Sequence, residues 1–226
     1  MPYFTQFQKS SYPLSDDVTK NLTNISQYTA IFSRLADDAS FYTYYNARGD
    51  ERFDTISNEL YGTPDYYWTI PILNSGIINT WKNSTKSEPA LRKLLERKYP
   101  GVALVFDAPE DIIGNFEIDE IVATAENDVY RVVGIYPSNH YIHCVSVSVD
   151  DTSGAQEVNP TSTIPFYTAP SYYLDSDDNQ VPAYLGINKV TFEDIEREKN
   201  ESYSRIKVIR PQFIYDIATQ FEREMA

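Results

Sequence analysis

The sequence predicts an α+β fold, in which a small frame of helices and strands is interrupted by an antiparallel β module. Apolar residues recur at helical spacing within residues 52–74 and again after Pro211. Residues 102–150 instead alternate apolar and polar side chains in short runs, which is typical of strands. The charge changes at the same place, because residues 101–180 carry fourteen acidic side chains against one basic side chain. We therefore expect a separate module within a nearly neutral frame.

The chain is predicted to begin with an extended arm over residues 1–39, in which Phe4, Phe7 and Tyr12 are candidate anchors. Within this arm, residues 28–38 are expected to form a short helix or an irregular connection. Residues 40–47 are dense in aromatic side chains and predict a strand, which ends before the turn-forming pair Gly49-Asp50.

Two helices are predicted after this turn, within a domain over residues 40–101. Apolar side chains at Phe53, Ile56, Leu60 and Tyr61 share one helical face, and Gly62 suits the end of that helix. Thr63 and Pro64 then suit the start of a second helix, which runs to about Asn74. Pro71 lies inside this helix and predicts a kink or an early end. Residues 77–81 are expected to be a loop, and residues 88–99 to be a further helix.

The remaining chain is divided into three parts. Residues 102–150 are predicted to form the acidic β module, with strands near 102–106, 116–123, 129–136 and 142–149. Residues 151–187 show little periodicity and are predicted to be a long loop excursion. Residues 188–226 are expected to supply a partly helical segment, a strand over 204–210 and a final helix. The apolar stripe of that helix would pack on the frame, and its residues are Phe213, Ile214, Ile217, Ala218 and Phe221.

Composition excludes several classes of function. The chain has 226 residues and a formal net charge of −14. Such acidity argues against binding to nucleic acid or to an anionic membrane, since both need clustered lysine and arginine. The apolar runs are too short to span a bilayer. Cys144 stands alone and no signal peptide is evident, so we expect synthesis in a reducing cytoplasm.

The sequence offers little material for catalysis. His140 and His143 lie in a predicted turn and strand without a third ligand nearby, which is a poor metal site. Asp175, Asp177 and Asn179 match the start of a calcium-binding loop, but its later glycine and glutamate are missing. We find no phosphate-binding loop or nucleophile motif. The chain is therefore predicted to be no enzyme and to use no cofactor, metal or small-molecule substrate.

An aromatic cluster admits two interpretations. Tyr66, Tyr67, Trp68 and Trp81 could form a sugar-binding platform. Aromatic side chains at helical spacing more often belong to a core or to a protein interface.

Residues 41–74 carry a resemblance to a known family. Their strand, Gly-Asp turn, Ile-Ser-x-x-Leu-Tyr-Gly helix and second helix ending in Asn resemble a LysM-type module. The run from Leu60 to Trp68, followed by Asn74, resembles the baseplate wedge subunits of T4-like contractile-tailed bacteriophages. The C-terminal run over residues 205–221 resembles the end of that family. Residues 101–180 match none of its pattern.

The resemblance implies a structural subunit of the tail baseplate in the virion. Such a subunit would clamp adjacent wedges around the hub, contact other wedge and hub proteins, and occur in six copies. It also singles out residues expected to serve packing or an interface. In the LysM-like motif these are Tyr61, Gly62, Pro64, Tyr67, Trp68, Ile70 and Asn74, and at the C-terminus Ile206, Val208, Phe213, Ile217 and Phe221.

A second function stays open. LysM modules outside baseplates commonly bind peptidoglycan, so the chain could be the glycan-binding module of a cell-wall-active protein. Such proteins usually carry a catalytic domain or repeated modules, and we find no second copy of the 41–74 pattern.

Overall fold

The computed structural model of the chain describes residues 9–15, 18–23, 38–75, 84–148 and 154–225. Within these ranges the helices are α1 (Phe53–Tyr61), α2 (Thr69–Leu73), α3 (Glu88–Lys98), α4 (Phe192–Ser202) and α5 (Ile214–Met225). The strands up to residue 136 are β1 (Lys9–Ser15), β2 (Val18–Thr23), β3 (Tyr42–Asn46), β4 (Val102–Val105), β5 (Ile121–Thr124) and β6 (Val129–Tyr136). The later strands are β7 (Tyr141–Ser146), β8 (Gln156–Val158), β9 (Ser162–Pro165), β10 (Pro170–Leu174), β11 (Gln180–Val181), β12 (Asn188–Thr191) and β13 (Arg205–Ile209). This mixture of helices and strands confirms the α+β class.

The chain divides into two compact units. The first unit comprises residues 1–88 and 200–226, and the second comprises residues 89–199. Inside the first unit, the segment that leads into the second unit is hydrogen-bonded to the segment that returns from it. The N–H of Lys86 donates to Asn200 Oδ1 at 2.7 Å, and Asn200 Nδ2 donates to the Lys86 carbonyl at 3.0 Å.

The first unit is organised by a two-stranded sheet. β3 pairs antiparallel with β13, in a register from Tyr42 opposite Ile209 to Asn46 opposite Arg205. The helix α1 follows β3 and ends as the sequence predicts. Gly62 adopts the left-handed conformation at φ 73° and donates its N–H to the Asn58 carbonyl. Glycine suits this position because it lacks a Cβ.

The second predicted helix is split into two pieces. A 3₁₀ turn spans Pro64–Tyr66, with Thr63 Oγ1 accepting from the Asp65 N–H at 3.3 Å, and α2 follows. The physical reason is Pro71, which has no N–H to donate to the Tyr67 carbonyl. That carbonyl instead accepts the N–H of Ile70 at 3.4 Å, three residues away.

Two apolar clusters of the first unit pack against the helices. One cluster joins Phe53, Ile56, Ile70, Ile206 and Val208. The other joins Trp68, Leu73 and Ile209 with α5, through Ile214, Ile217, Ala218 and Phe221. Trp68 is 0% exposed, and its ring centroid lies 4.7 Å from that of Phe221. Every turn of the predicted apolar stripe after Phe213 therefore contributes to this core.

The predicted arm contains a β-hairpin. β1 pairs antiparallel with β2, from Lys9 opposite Thr23 to Ser15 opposite Val18. The register shifts between Pro13 and Ser15, which is consistent with proline interrupting a strand ladder. Tyr12 lies in this hairpin and is exposed. Phe4, Phe7 and almost all of the 28–38 segment lie outside the described residues, as does the 77–81 loop with Trp81.

The second unit contains a six-stranded sheet in the order β8-β5-β6-β7-β4-β9. All of its pairings are antiparallel except the parallel pairing of β5 with β8. One buried cluster includes Leu104, Phe106, Val122, Val132 and Ile142. The strand predicted over 116–123 is shorter than expected and begins at Ile121, because residues 117–120 form a turn. In that turn the Glu120 carboxylate accepts the Glu117 N–H at 2.9 Å.

The long loop predicted over residues 151–187 instead contains four short strands. β8 and β9 join the six-stranded sheet, and β10 lies between β11 and β12 in a separate three-stranded sheet. These strands span two to five residues. Such short segments cannot show a clear alternation, so the sequence pattern missed them.

Two helices of the second unit are joined by charge and aromatic contacts. Lys98 of α3 bonds the buried carboxylate of Glu196 at 2.5 Å, and this hydrogen bond raises the pKa of Lys98. The next residue, Tyr99, stacks on Phe192 with ring centroids 4.9 Å apart. At the start of α4, Thr191 and Asp194 bond each other's backbone N–H groups and form a capping box.

The buried tryptophan gives a stability prediction. We expect Trp68→Ala to lower the free energy of unfolding by about 3–5 kcal/mol, because it leaves a large cavity beside Phe221. Chemical denaturation followed by far-UV circular dichroism measures this loss. Tyr215→Ala on the exposed side of α5 is the control and should change stability by less than about 0.5 kcal/mol. Equal stabilities for the two variants would contradict the assignment of Trp68 to the core.

Candidate functional site

The candidate residues of the sequence analysis converge in the first unit, mostly in its interior. Ile70, Ile206 and Val208 share one cluster, and Trp68, Ile217 and Phe221 share the other. Tyr61, Tyr67 and Phe213 are partly buried and pack against these clusters. Gly62 and Pro64 are exposed at the turn between α1 and α2. The structure thus places most of these side chains where they hold the unit together, rather than on its surface.

Tyr61 links the helices to the central sheet. Its hydroxyl donates to the Ile209 carbonyl at 2.9 Å, at the end of β13. Burial of the ring raises the pKa of Tyr61. The phenol therefore stays protonated and keeps its donor role at physiological pH.

Asn74 closes the free edge of β13. Its side-chain Oδ1 accepts the Lys207 N–H at 2.8 Å, and its Nδ2 donates to the Lys207 carbonyl at 2.7 Å. The same Nδ2 donates to the Ile70 carbonyl at 2.7 Å, at the end of α2. One buried amide therefore takes the place of a neighbouring strand and ties that strand to a helix. An edge that is satisfied in this way is closed to further strand pairing at Lys207.

One face of the sheet formed by β3 and β13 bears a partly exposed surface that the sequence analysis missed. The Arg205 guanidinium carbon lies 4.2 Å from the Tyr44 ring centroid, and Lys207 Nζ lies 4.5 Å from that of Tyr42. The two tyrosine rings meet edge to face at 5.7 Å. We call these four residues the basic aromatic face. The alternation of Tyr42 with Tyr44, and of Arg205 with Lys207, was a signal for it, but only once the two strands are known to pair.

An open cleft of about 410 Å³ lies beside the Gly49-Asp50 turn of the first unit. Asp50, Glu51, Arg52, Phe53, Asp54, Tyr67 and Ser84 line it. Its charged groups already have partners within the loop. Glu51 accepts the Arg48 N–H at 2.8 Å and the Tyr45 hydroxyl at 3.1 Å, and Arg52 pairs with Asp54 at 2.9 Å. Burial together with Glu51 and Glu59 raises the pKa of Tyr45 to about 12. These carboxylates order the loop.

The proposed sugar platform is not assembled as a surface. Trp68 lies in the core, Tyr66 and Tyr67 are half-buried, and Trp81 falls outside the described residues. A glycan platform needs an aromatic face open to solvent, which Trp68 does not offer.

The reactive side chains of the second unit have structural surroundings. His143 stacks on Phe166 with ring centroids 3.5 Å apart, and its Nε2 lies 2.7 Å from the Pro100 carbonyl. Burial lowers the pKa of His143 and raises that of the Cys144 thiol to about 12, so this thiol is a poor nucleophile. His140 occupies a left-handed position in the turn before β7.

The calcium-like sequence forms a hydrogen-bonded turn. Asp175 Oδ1 accepts the N–H groups of Asn179 and Asp177, each at 2.9 Å, and these bonds lower the pKa of Asp175. Among the described residues, no group of three or more His, Cys, Asp or Glu side chains could hold a metal ion. None of the helices within the described ranges has the length and apolar character needed to cross a bilayer.

The amide of Asn74 gives a second stability prediction. We expect Asn74→Ala to lower the free energy of unfolding by about 2–3 kcal/mol, since the backbone groups of Lys207 then lose their partners in a partly buried site. Thermal and urea denaturation measure the loss. The matched control is Asn58→Ala on the exposed side of α1, which should be neutral within about 0.5 kcal/mol. A loss below this limit for Asn74→Ala would show that solvent replaces the amide at no cost.

Comparison with known proteins supports an origin in a phage tail. The family model described as base plate wedge protein 53 matches residues 3–103, somewhat less than half of the chain. The matched region includes β3, α1 and α2, and it ends near the start of the acidic module. A search of the curated proteins finds no match. The LysM-like architecture is not part of the match and stays a prediction.

The family match agrees with the resemblance carried by residues 41–74. Proteins of this family are structural components of the virion tail baseplate and associate with other baseplate proteins. The match over residues 3–103 and the motif together support a baseplate wedge subunit.

Proposed function

We propose that the chain is a non-enzymatic subunit that clamps adjacent wedges around the tail hub during assembly. The match of residues 3–103 to a baseplate wedge protein carries this proposal. The chemistry of the described residues supports it, since His143, Cys144 and Asp175 lie in packed or hydrogen-bonded surroundings. Six copies per baseplate, with wedge and hub proteins as neighbours, follow from the hexagonal arrangement that the resemblance implies.

We further propose that the first unit is a LysM-like module with a long insertion. Its order of β3, α1, α2 and β13 supports this reading, because two antiparallel strands enclose two helices in sequence. The second strand of the module comes more than a hundred residues after the second helix. The insertion therefore lies between α2 and β13.

The domain organisation is also proposed. The arm over 1–39 would dock on a neighbour, residues 40–101 and 188–226 would form the frame, and the acidic segment would be a peripheral lobe. The second compact unit over 89–199 supports a separate lobe, and it assigns α3 and most of α4 to that lobe. The paired hydrogen bonds between Lys86 and Asn200 support this division, because they hold the two crossing points together.

In vitro complementation tests the clamping function. The host is infected with a contractile-tailed phage whose copy of this gene carries an early stop codon, and purified chain is added to the lysate. We expect separate wedges without the chain and closed hexagonal baseplates with it, as judged by sedimentation and electron microscopy. Quantitative mass spectrometry of purified tails should give six copies per baseplate. Closed baseplates in the unsupplemented lysate would exclude a clamping role.

Removal of the proposed lobe tests the domain organisation. Residues 89–199 are replaced by a flexible glycine-serine linker of about six residues. We expect the remaining protein to unfold cooperatively with Trp68 still buried, because both apolar clusters of the first unit lie outside the deletion. Tryptophan fluorescence during denaturation measures this. Absence of a cooperative transition would mean that residues 89–199 are integral to the frame.

A further inference from the structure

Three large apolar side chains lie exposed in one short loop of the second unit. Tyr184, Leu185 and Ile187, between β11 and β12, are 78%, 56% and 71% exposed. Single exposed apolar residues are ordinary on protein surfaces, but three in one loop form a patch. We call these three residues the apolar knob. Such a patch lowers the solubility of the protein unless a partner covers it.

The loop that carries the apolar knob is held in a fixed shape. The N–H of Leu185 donates to the Pro182 carbonyl at 3.0 Å, and the N–H of Ile187 donates to the Leu174 carbonyl of β10 at 2.8 Å. Gly186 lies so close to Tyr173 that an added Cβ would stand 2.4 Å from the tyrosine Cβ. The side chains are therefore presented by an ordered loop, which reduces the entropy lost on binding.

An acidic turn borders the apolar knob. The bond from Ile187 to Leu174 places the loop beside the turn over residues 175–179. Asp177 and Asp178 are exposed there, while Asp175 organises the turn. Lys189 is the one cation within residues 170–191. A complementary partner therefore presents an apolar pocket with a basic rim, since opposite charges favour the correct encounter.

We propose that Tyr184, Leu185 and Ile187 insert into an apolar pocket, rimmed by lysine or arginine side chains, on a different subunit of the baseplate. This proposal depends on the proposed wedge function in one respect only, which is that the assembly is the baseplate. A second copy of this chain is a poorer partner, because its net charge of −14 repels the acidic turn. The basic aromatic face of a second copy offers rings beneath cations and no apolar pocket.

Incorporation of full-length variants into baseplates provides the test. In the complementation lysate, limiting amounts of Leu185→Ser/Ile187→Ser are compared with wild type. The matched control is Ile113→Ser/Ile118→Ser, which removes two other exposed apolar side chains of the same unit. Circular dichroism should show all three proteins equally folded. We expect about tenfold less incorporation for the knob variant only, because central apolar anchors dominate interface energies. Asp177→Lys/Asp178→Lys should also reduce incorporation.

Crosslinking identifies the occupant. The full chain with Tyr184→p-benzoylphenylalanine is assembled into tails, irradiated and analysed by mass spectrometry. We expect a crosslink to an apolar peptide with lysine or arginine from another baseplate protein. Crosslinks only to this chain, absence of a crosslink, or normal incorporation of the knob variant would overturn the proposal.

The two proposals fail separately. If the wild-type chain and the knob variant close the wedges equally well, the clamping proposal stands and the proposal for the apolar knob is overturned. If the wild-type chain is incorporated and crosslinked but does not close the wedges, the proposal for the apolar knob stands and the clamping proposal is overturned. Failure of the wild-type chain to be incorporated at all overturns the knob, since no baseplate subunit then receives it.

Discussion

The pairing of β3 with β13 is the constraint on which the first unit depends. It joins residues 42–46 to residues 205–209, so a very long stretch of chain must be closed into a loop before the ladder forms. Ile206 and Val208 anchor one apolar cluster on this ladder, and Ile209 anchors the other. Asn74 completes the arrangement, because its amide bonds Lys207 on the edge of β13 that no strand within the described residues covers. The same ladder positions helix α5 in the core, because α5 begins only a few residues after β13 ends.

Under the proposed domain organisation, closure of such a long loop is easier because residues 89–199 form a compact unit of their own. The entropy of loop closure grows only slowly with length, and a folded insertion behaves as a short connection between nearby ends. Lys86 and Asn200 meet at those ends within the first unit. The insertion can then carry its own sheets and core without altering the register of the ladder.

The acidity of the second unit is compatible with folding because, among its described residues, no carboxylate is left buried without a partner. Several of them bond backbone N–H groups in turns, as Glu120 and Asp175 do, which satisfies donors that strands leave open. Glu196 is buried and bonds Lys98. Desolvation of an unpaired carboxylate is therefore avoided. Exposed carboxylates such as those of Asp177 and Asp178 stay solvated at the surface.

The sequence by itself determined the α+β class, the helix α1 with its glycine stop, the apolar stripe of α5 and the membership of residues 41–74 in a wedge-like motif. The first three depend on local spacing, which neighbouring residues report directly, and the last is a resemblance to a known family. Only the tertiary structure decided the roles of Asn74, the basic aromatic face and the apolar knob. From the sequence, Asn74 is an ordinary residue at a helix end, and its role requires β13 beside it. The tyrosines of β3 contact Arg205 and Lys207 only because β3 pairs with β13. The strands of residues 156–181 were missed for a related reason. Each is too short to show a pattern, and β8 and β9 also pair with the strands β5 and β4, which are distant in sequence.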